Sequence, residues 1–145
     1  MKTTISHVNV WVRDQDEALA FYTDKLGFEV REDVTVPEFN NFRWLTVGPP
    51  SQPDLQLILC RTDAMPASPE LAAKLADVVA QGAGGGVVLA VEDCRATVAE
   101  LKSRGVEFTA EIADHGYGLV TYFKVPGGFA VQLYQPHYTK SSSAR

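Results

Sequence analysis

From Ser6 to Val12 the chain alternates, Val8, Val10 and Val12 against His7, Asn9 and Trp11. That period of two predicts a strand with one aliphatic face and one polar-aromatic face. Asp14 stands three residues before Glu17, the spacing of a helix cap with an acidic partner in the first turn. Ala18, Leu19, Phe21, Tyr22 and Leu26 continue at helical spacing until Gly27 supplies a stop. Strands are predicted over Phe28–Val36, Phe42–Val47 and Asp54–Arg61, the last two separated by a turn too rich in proline for a sheet interior. In the last strand Leu55, Leu57 and Leu59 share one face, and Gln56, Ile58 and Cys60 the other.

Ser68-Pro69-Glu70 has the form of a cap with proline at the first helical position, so Leu71–Gln81 is predicted as an alanine-rich linking helix that ends in Gly82–Gly86. The pattern then restarts. The eight residues Gly86–Asp93 align without a gap on His7–Asp14, 79 positions earlier. A helix over Arg95–Arg104, a stop at Gly105 and strands over Val106–Ile112, Leu119–Val125 and Phe129–Tyr134 complete a second copy. Within the last of these, Ala130–Leu133 mirrors Asp54–Leu57 at an offset of 76. The chain is thus two copies of one βαβββ unit. Module 1 is expected at about 4–62, the linker helix at 68–82 and module 2 at about 86–136, all in one domain spanning 1–136. Residues 137–145 are expected to form a flexible tail.

Each sheet needs a cover for its apolar face, and the helices after Asp14 and Asp93 provide it. His7, Asn9, Trp11, Gln56, Gln132 and Tyr134 fall on the opposite faces, which are therefore the expected ligand surface. Composition narrows the function. A net charge of -5 with scattered Lys and Arg excludes a clustered phosphate-binding surface, so no nucleic-acid partner is expected. No apolar run approaches the length of a membrane helix, and the start of the chain lacks the apolar stretch of a signal peptide, so no membrane partner is expected. The two cysteines, Cys60 and Cys94, form no C-x-x-C motif or disulfide framework and read as buried small hydrophobes, consistent with a reducing cytoplasm. The 82–86 run is no phosphate loop, because it precedes a strand and lacks the Gly-Lys-Ser/Thr ending.

The strand His7–Val12, the segment Ala20–Phe28, the turn Val91–Asp93 and the ending Pro126–Leu133 together resemble the vicinal oxygen chelate superfamily. That group includes glyoxalase I, extradiol dioxygenases, methylmalonyl-CoA epimerase and bleomycin-resistance proteins. The resemblance covers about residues 4–136. It implies an α+β fold of the glyoxalase/bleomycin-resistance type, two βαβββ modules curling into a half-open, barrel-like cup, and pairing as a homodimer. It also implies metal ligands, usually His and Glu, on the first and last strand of each module. Carried over, these positions hold His7, Gln56, Gly86 and Gln132.

A divalent metal is held by imidazole and anionic donors, and glutamine cannot serve as the proton-transferring base that glyoxalase and epimerase chemistry needs. No metal or cofactor is therefore expected, the alternative being a residual site for Zn, Ni, Fe or Mn. His7 reads either as a hydrogen-bonded structural residue or as a ligand contact. Gln56 and Gln132 either bind a neutral ligand or close a vestigial site. Trp11, Trp44 and Tyr134 offer flat apolar surface, with core packing as the competing account. Cys60 shares their expected surface. In the Asp114–Gly118 loop, His115 and Tyr117 read as side chains that could close over a pocket or as an ordinary hairpin turn. Arg43 and Lys124 are candidate partners for an anionic ligand. The expected function is a metal-independent binder of a drug or metabolite. The alternatives are a metal-dependent lyase, isomerase or dioxygenase, and a metal-free enzyme using His7 or His115.

Overall fold

The structure is a computed structural model that describes residues 1–64, 68–83, 85–127 and 130–137. It is α+β, with two four-stranded mixed sheets, neither closed into a barrel. The chain divides into two compact units, Met1–Gly85 with Pro126–Phe129, and Gly86–Val125 with Ala130–Arg145.

In the first unit the strands are β1 (His7–Val12), β2 (Glu29–Val36), β3 (Phe42–Gly48) and β4 (Gln56–Arg61), ordered β1-β4-β3-β2. β1 runs parallel to β4, and the crossover between them holds α1 (Gln15–Ala20). The Asp14 carboxylate caps α1 by accepting from the Glu17 amide at 2.8 Å. The expected helix runs on from α1 as a π turn over Phe21–Lys25 and stops where Gly27 takes φ +73°. Val10, Val12, Leu45, Val47, Leu57 and Leu59 are buried on the helix-covered side of the sheet. Gln15 ties α1 to that sheet, its amide donating to the Leu59 carbonyl at 2.9 Å and the Arg43 carbonyl at 3.1 Å.

β2 departs from simple alternation. Val30 pairs with Val47 but Glu32 pairs with Thr46, so a bulge falls at Arg31. The guanidinium of Arg31 leaves the ladder and donates to the carbonyls of Pro49 (2.8 Å) and Pro53 (2.9 Å), fastening the proline-rich turn. α2 (Pro69–Ala80) follows, capped by the Ser68 hydroxyl as its sequence indicates.

The second unit repeats the order with β5 (Val88–Ala90), α3 (Cys94–Ser103), β6 (Ala113–Asp114), β7 (Gly118–Lys124) and β8 (Ala130–Pro136), arranged β5-β8-β7-β6. Asp93 caps α3 by accepting from the Ala96 amide, and the Gln135 side chain accepts from the Cys94 amide at 2.7 Å. Three expectations are corrected. The strand expected over Val106–Ile112 is an irregular segment joined to β7 by the Phe108–Phe123 bridge and by bonds from the Thr109 amide to the Tyr122 carbonyl and from the Lys124 amide to the Glu107 carbonyl. The strand expected from Gly86 begins only at Val88, because glycines lose the most backbone entropy and offer no side chain to pack. His137, assigned to the flexible tail, is held: its amide donates to the Tyr117 carbonyl at 3.1 Å and its Nε2 lies 2.8 Å from Asp114 Oδ1. Residues 138–145, the rest of that tail, lie outside the described residues, as does Phe129 at the start of the last strand.

Gly118 is where β7 comes close to β8. A Cβ there would stand 2.4 Å from the Gln135 carbonyl oxygen and 2.6 Å from the Tyr134 ring. The backbone on one side cannot yield, so Gly118→Ala is expected to cost about 1–3 kcal/mol and to displace the Tyr134 ring. Chemical denaturation with near-ultraviolet circular dichroism would check it, an unchanged midpoint and tyrosine signal refuting the clash.

Candidate functional site

Strand register decides which side chains share the helix-free faces. In unit 1, His7 stands opposite Gln56 and Trp11 opposite Cys60 across the parallel β1–β4 pair. Thr46 stands opposite Ile58 across β3–β4, and β2 contributes Glu32 beside Thr46 and Val34 beside Trp44. The bulge at Arg31 places Glu32 and Val34 here and leaves Val30 in register with Val47 on the other side.

His7, Glu32 and Trp44 form the polar centre of this face. The Trp44 indole N–H donates to Glu32 Oε1 at 3.1 Å. His7 Nε2 lies 3.9 Å from that same oxygen, and the His7 and Trp44 rings approach to 5.4 Å at a tilt of 54°. His7 Nδ1 meets the Ser6 hydroxyl at 2.8 Å, while Nε2 is closed to solvent and has no hydrogen-bond partner. Such an atom forgoes its hydration without replacing it. Beside it the fully buried Thr46 hydroxyl donates to Gln56 Oε1 at 2.6 Å. Gln56 is therefore oriented by Thr46, leaving its amide N–H groups as donors.

Cys60 lies on this face but is 2% exposed, and burial, with Asp63 in second place, pushes its thiol pKa up. That disfavours the reactive thiolate. Arg43 is engaged on the far side of the sheet with Asp33 and Asp16, and its hydrogen bond holds the Asp33 carboxyl below its ordinary pKa. Lys124, in unit 2, sits 3.6 Å from Glu107. Both cations therefore already stand beside carboxylates.

The open face of unit 2 is aromatic. Val88 and Tyr122 flank Gln132, while Ala90 and Val120 flank Tyr134. The Tyr134 ring lies 6.1 Å from that of Tyr117, which stacks at 5.9 Å on His115. The turn carrying these groups is tied down: the His115 amide donates to the Gly118 carbonyl, the Gly116 amide to Asp114, and His137 bridges the same carboxylate. The structure thus brings His115, Tyr117 and Tyr134 into one ring series on a braced hairpin. Register also makes Val88, not Gly86, the partner of Gln132.

A cleft of about 660 Å³ opens elsewhere in unit 1, between the start of α1 and the β2–β3 connection, lined by Arg13, Asp16, Asn40, Arg43, Arg61 and Asp63. Its guanidiniums are already paired, with Glu17, Asp16 and Asp33, and Asp63. Of the ligand-surface candidates from the sequence it touches Arg43 alone.

At the carried-over ligand positions, His7 faces Gln56, whose oxygen accepts from Thr46, with Glu32 3.9 Å away, and Gln132 faces Val88; among the described residues no three His, Cys, Asp or Glu side chains cluster to hold an ion. Sequence reasoning missed Glu32. A charged residue on an edge strand reads as solvent-facing, and only the bulge turns it beside His7.

Comparison with known proteins follows the same lines. The sequence model of the Glyoxalase/Bleomycin resistance protein/Dioxygenase superfamily matches residues 4–133. The chain is 33% identical over 127 residues to YurT, an uncharacterized protein of Bacillus subtilis, covering 88% of this chain and 94% of that one. Among solved structures it is similar to UcmS2, at 40% identity and a TM-score of 0.84, covering 92% of this chain and 98% of the other. It is also similar to TnmS3, described as an antibiotic binding protein from Streptomyces sp. CB03234, at 28% identity and a TM-score of 0.71, covering 93% and 97% of the two chains.

Proposed function

This chain belongs to the Glyoxalase/Bleomycin resistance protein/Dioxygenase superfamily, and from that premise we propose that it binds a small organic molecule, a drug or a metabolite, without a metal. The observation that carries the reading is the composition of the His7 face. Where a metal enzyme needs anionic donors beside its imidazole, Gln56 is an amide fastened to Thr46, and the carboxylate of this face, Glu32, is held by the Trp44 indole N–H. Around it Trp44, Trp11 and Val34 offer flat apolar area, a combination that suits an organic ligand with a few polar groups. Similarity to TnmS3, itself described as antibiotic binding, supports the same class of ligand. The open face of the second unit, taken by itself, offers Gln132 and the rings of Tyr117 and Tyr134 to a ligand of the same class.

The protein works as a homodimer in this reading, supported by the edge strands that terminate each sheet. Two free, buried cysteines suit a reducing cytoplasm, and among the described residues no helix is long and apolar enough to cross a membrane.

Thermal unfolding separates this reading from a metal-dependent lyase, isomerase or dioxygenase. EDTA, and then Zn, Ni, Fe or Mn, is expected to leave the melting temperature unchanged, while members of a panel of antibiotics and aromatic metabolites raise it. A ligand at 100 times its Kd adds about 2.7 kcal/mol, a readily measured shift. Loss of stability in EDTA with recovery on adding one metal would overturn the proposal.

A further inference from the structure

We propose that Glu32 is an internal competitor for the ligand, its Oε1 held in the seat that a neutral carbonyl oxygen of a planar ligand would take. This rests on the small-molecule reading above and names the polar group that the site recognises.

The argument starts from the donors. Trp44 Nε1 can only donate, and it donates to Glu32 Oε1 at 3.1 Å. His7 Nε2 is 3.9 Å from that oxygen, too far for a hydrogen bond, and has no other partner although solvent cannot reach it. With the Ser6 hydroxyl, 2.8 Å away, donating to Nδ1, the N–H of the ring is the one at Nε2. Two N–H groups thus converge on one acceptor position, and Gln56 adds amide N–H groups on the same face because its oxygen is committed to Thr46. A face so supplied with donors is built for an acceptor.

The acceptor now in place satisfies only one of the two donors. It is also the more open member of the group: the Glu32 side chain is 47% exposed on an edge strand, whereas that of His7 is 29% exposed. When Glu32 swings toward water, both N–H groups are uncovered beside the Trp44 ring. A neutral carbonyl suits the vacated position better than a carboxylate, because Glu32 remains nearby as a like charge in a chain of net charge -5.

The test uses acetophenone, a planar ketone, and α-methylstyrene, which replaces its oxygen by a methylene group of similar shape. Binding is followed by 1H–15N NMR at the Trp44 indole N–H. In Glu32→Ala, acetophenone is expected to bind about tenfold more tightly than in the wild type, as the competing hydrogen bond is gone, with α-methylstyrene unchanged. Glu32→Gln, which keeps an acceptor oxygen, is expected to stay close to the wild type. Adding Trp44→Phe to Glu32→Ala, with binding then read at the Gln56 side-chain amide, should erase the gain. Equal or weaker acetophenone binding by Glu32→Ala, or an equal gain for α-methylstyrene, would overturn the inference. The small-molecule reading is decided separately by the wild-type melting screen, so an organic ligand found there would leave it standing even if Glu32 failed.

Discussion

Phe123→Ala is expected to lower stability by about 3–5 kcal/mol, the range for emptying a buried aromatic site. Phe123 has no exposed surface, sits in β7 in register with Val131 on β8, and packs edge-on against Phe108 at 5.6 Å. The segment carrying Phe108 is joined to β7 by an isolated bridge and two nearby backbone bonds, without a strand ladder of its own. Removing the Phe123 ring therefore leaves a cavity and also loosens the aromatic contact with Phe108 that helps seat this segment. With roughly 5–15 kcal/mol of stability in a typical domain, the loss is a large fraction of the total. Urea unfolding would measure it, with an unchanged slope and a lower midpoint expected. A loss under 1 kcal/mol would mean that the ring is not a core element.

The second large effect concerns Gln15. Its amide nitrogen donates to two carbonyls on adjacent strands, Leu59 on β4 and Arg43 on β3, from a side chain only 9% exposed at the start of α1. Gln15→Leu keeps the size but strips both acceptors of their partner, and the buried Leu59 bond is the one water cannot replace. The cost is expected at about 2–4 kcal/mol, since each unsatisfied buried group costs about 1–3 kcal/mol. Amide hydrogen exchange in β3 and β4 would be expected to speed up along with the loss in global stability. If exchange there were unaltered, the clamp between α1 and the sheet would be refuted.

These two residues differ in how visible they were beforehand. Phe123 falls in the strand expected over Leu119–Val125, and its register with Val131 puts it on the buried face. Gln15 follows the Asp14 cap and carries no sign of a special role; its two acceptors lie 28 and 44 residues away along the chain. The helix starts at Asp14, Ser68 and Asp93 were legible because a cap is a local hydrogen bond between neighbours in sequence. The segment after Gly105 was misread as a strand because alternating apolar residues say nothing about whether a partner strand lies alongside.

The candidate site divides in the same way. Chain pattern by itself determined the two βαβββ copies, the helix-covered faces, and the placing of His7, Gln56, Gln132 and Tyr134 on the opposite ones, since all of these follow from the period of a strand. Tertiary structure alone decided that Glu32 stands beside His7, that Val88 faces Gln132, and that Arg43 is spent on Asp33 and Asp16. The physical reason is register. One extra residue at Arg31 reverses which side of the sheet the rest of β2 presents, and a bulge is fixed by pairing with a distant strand.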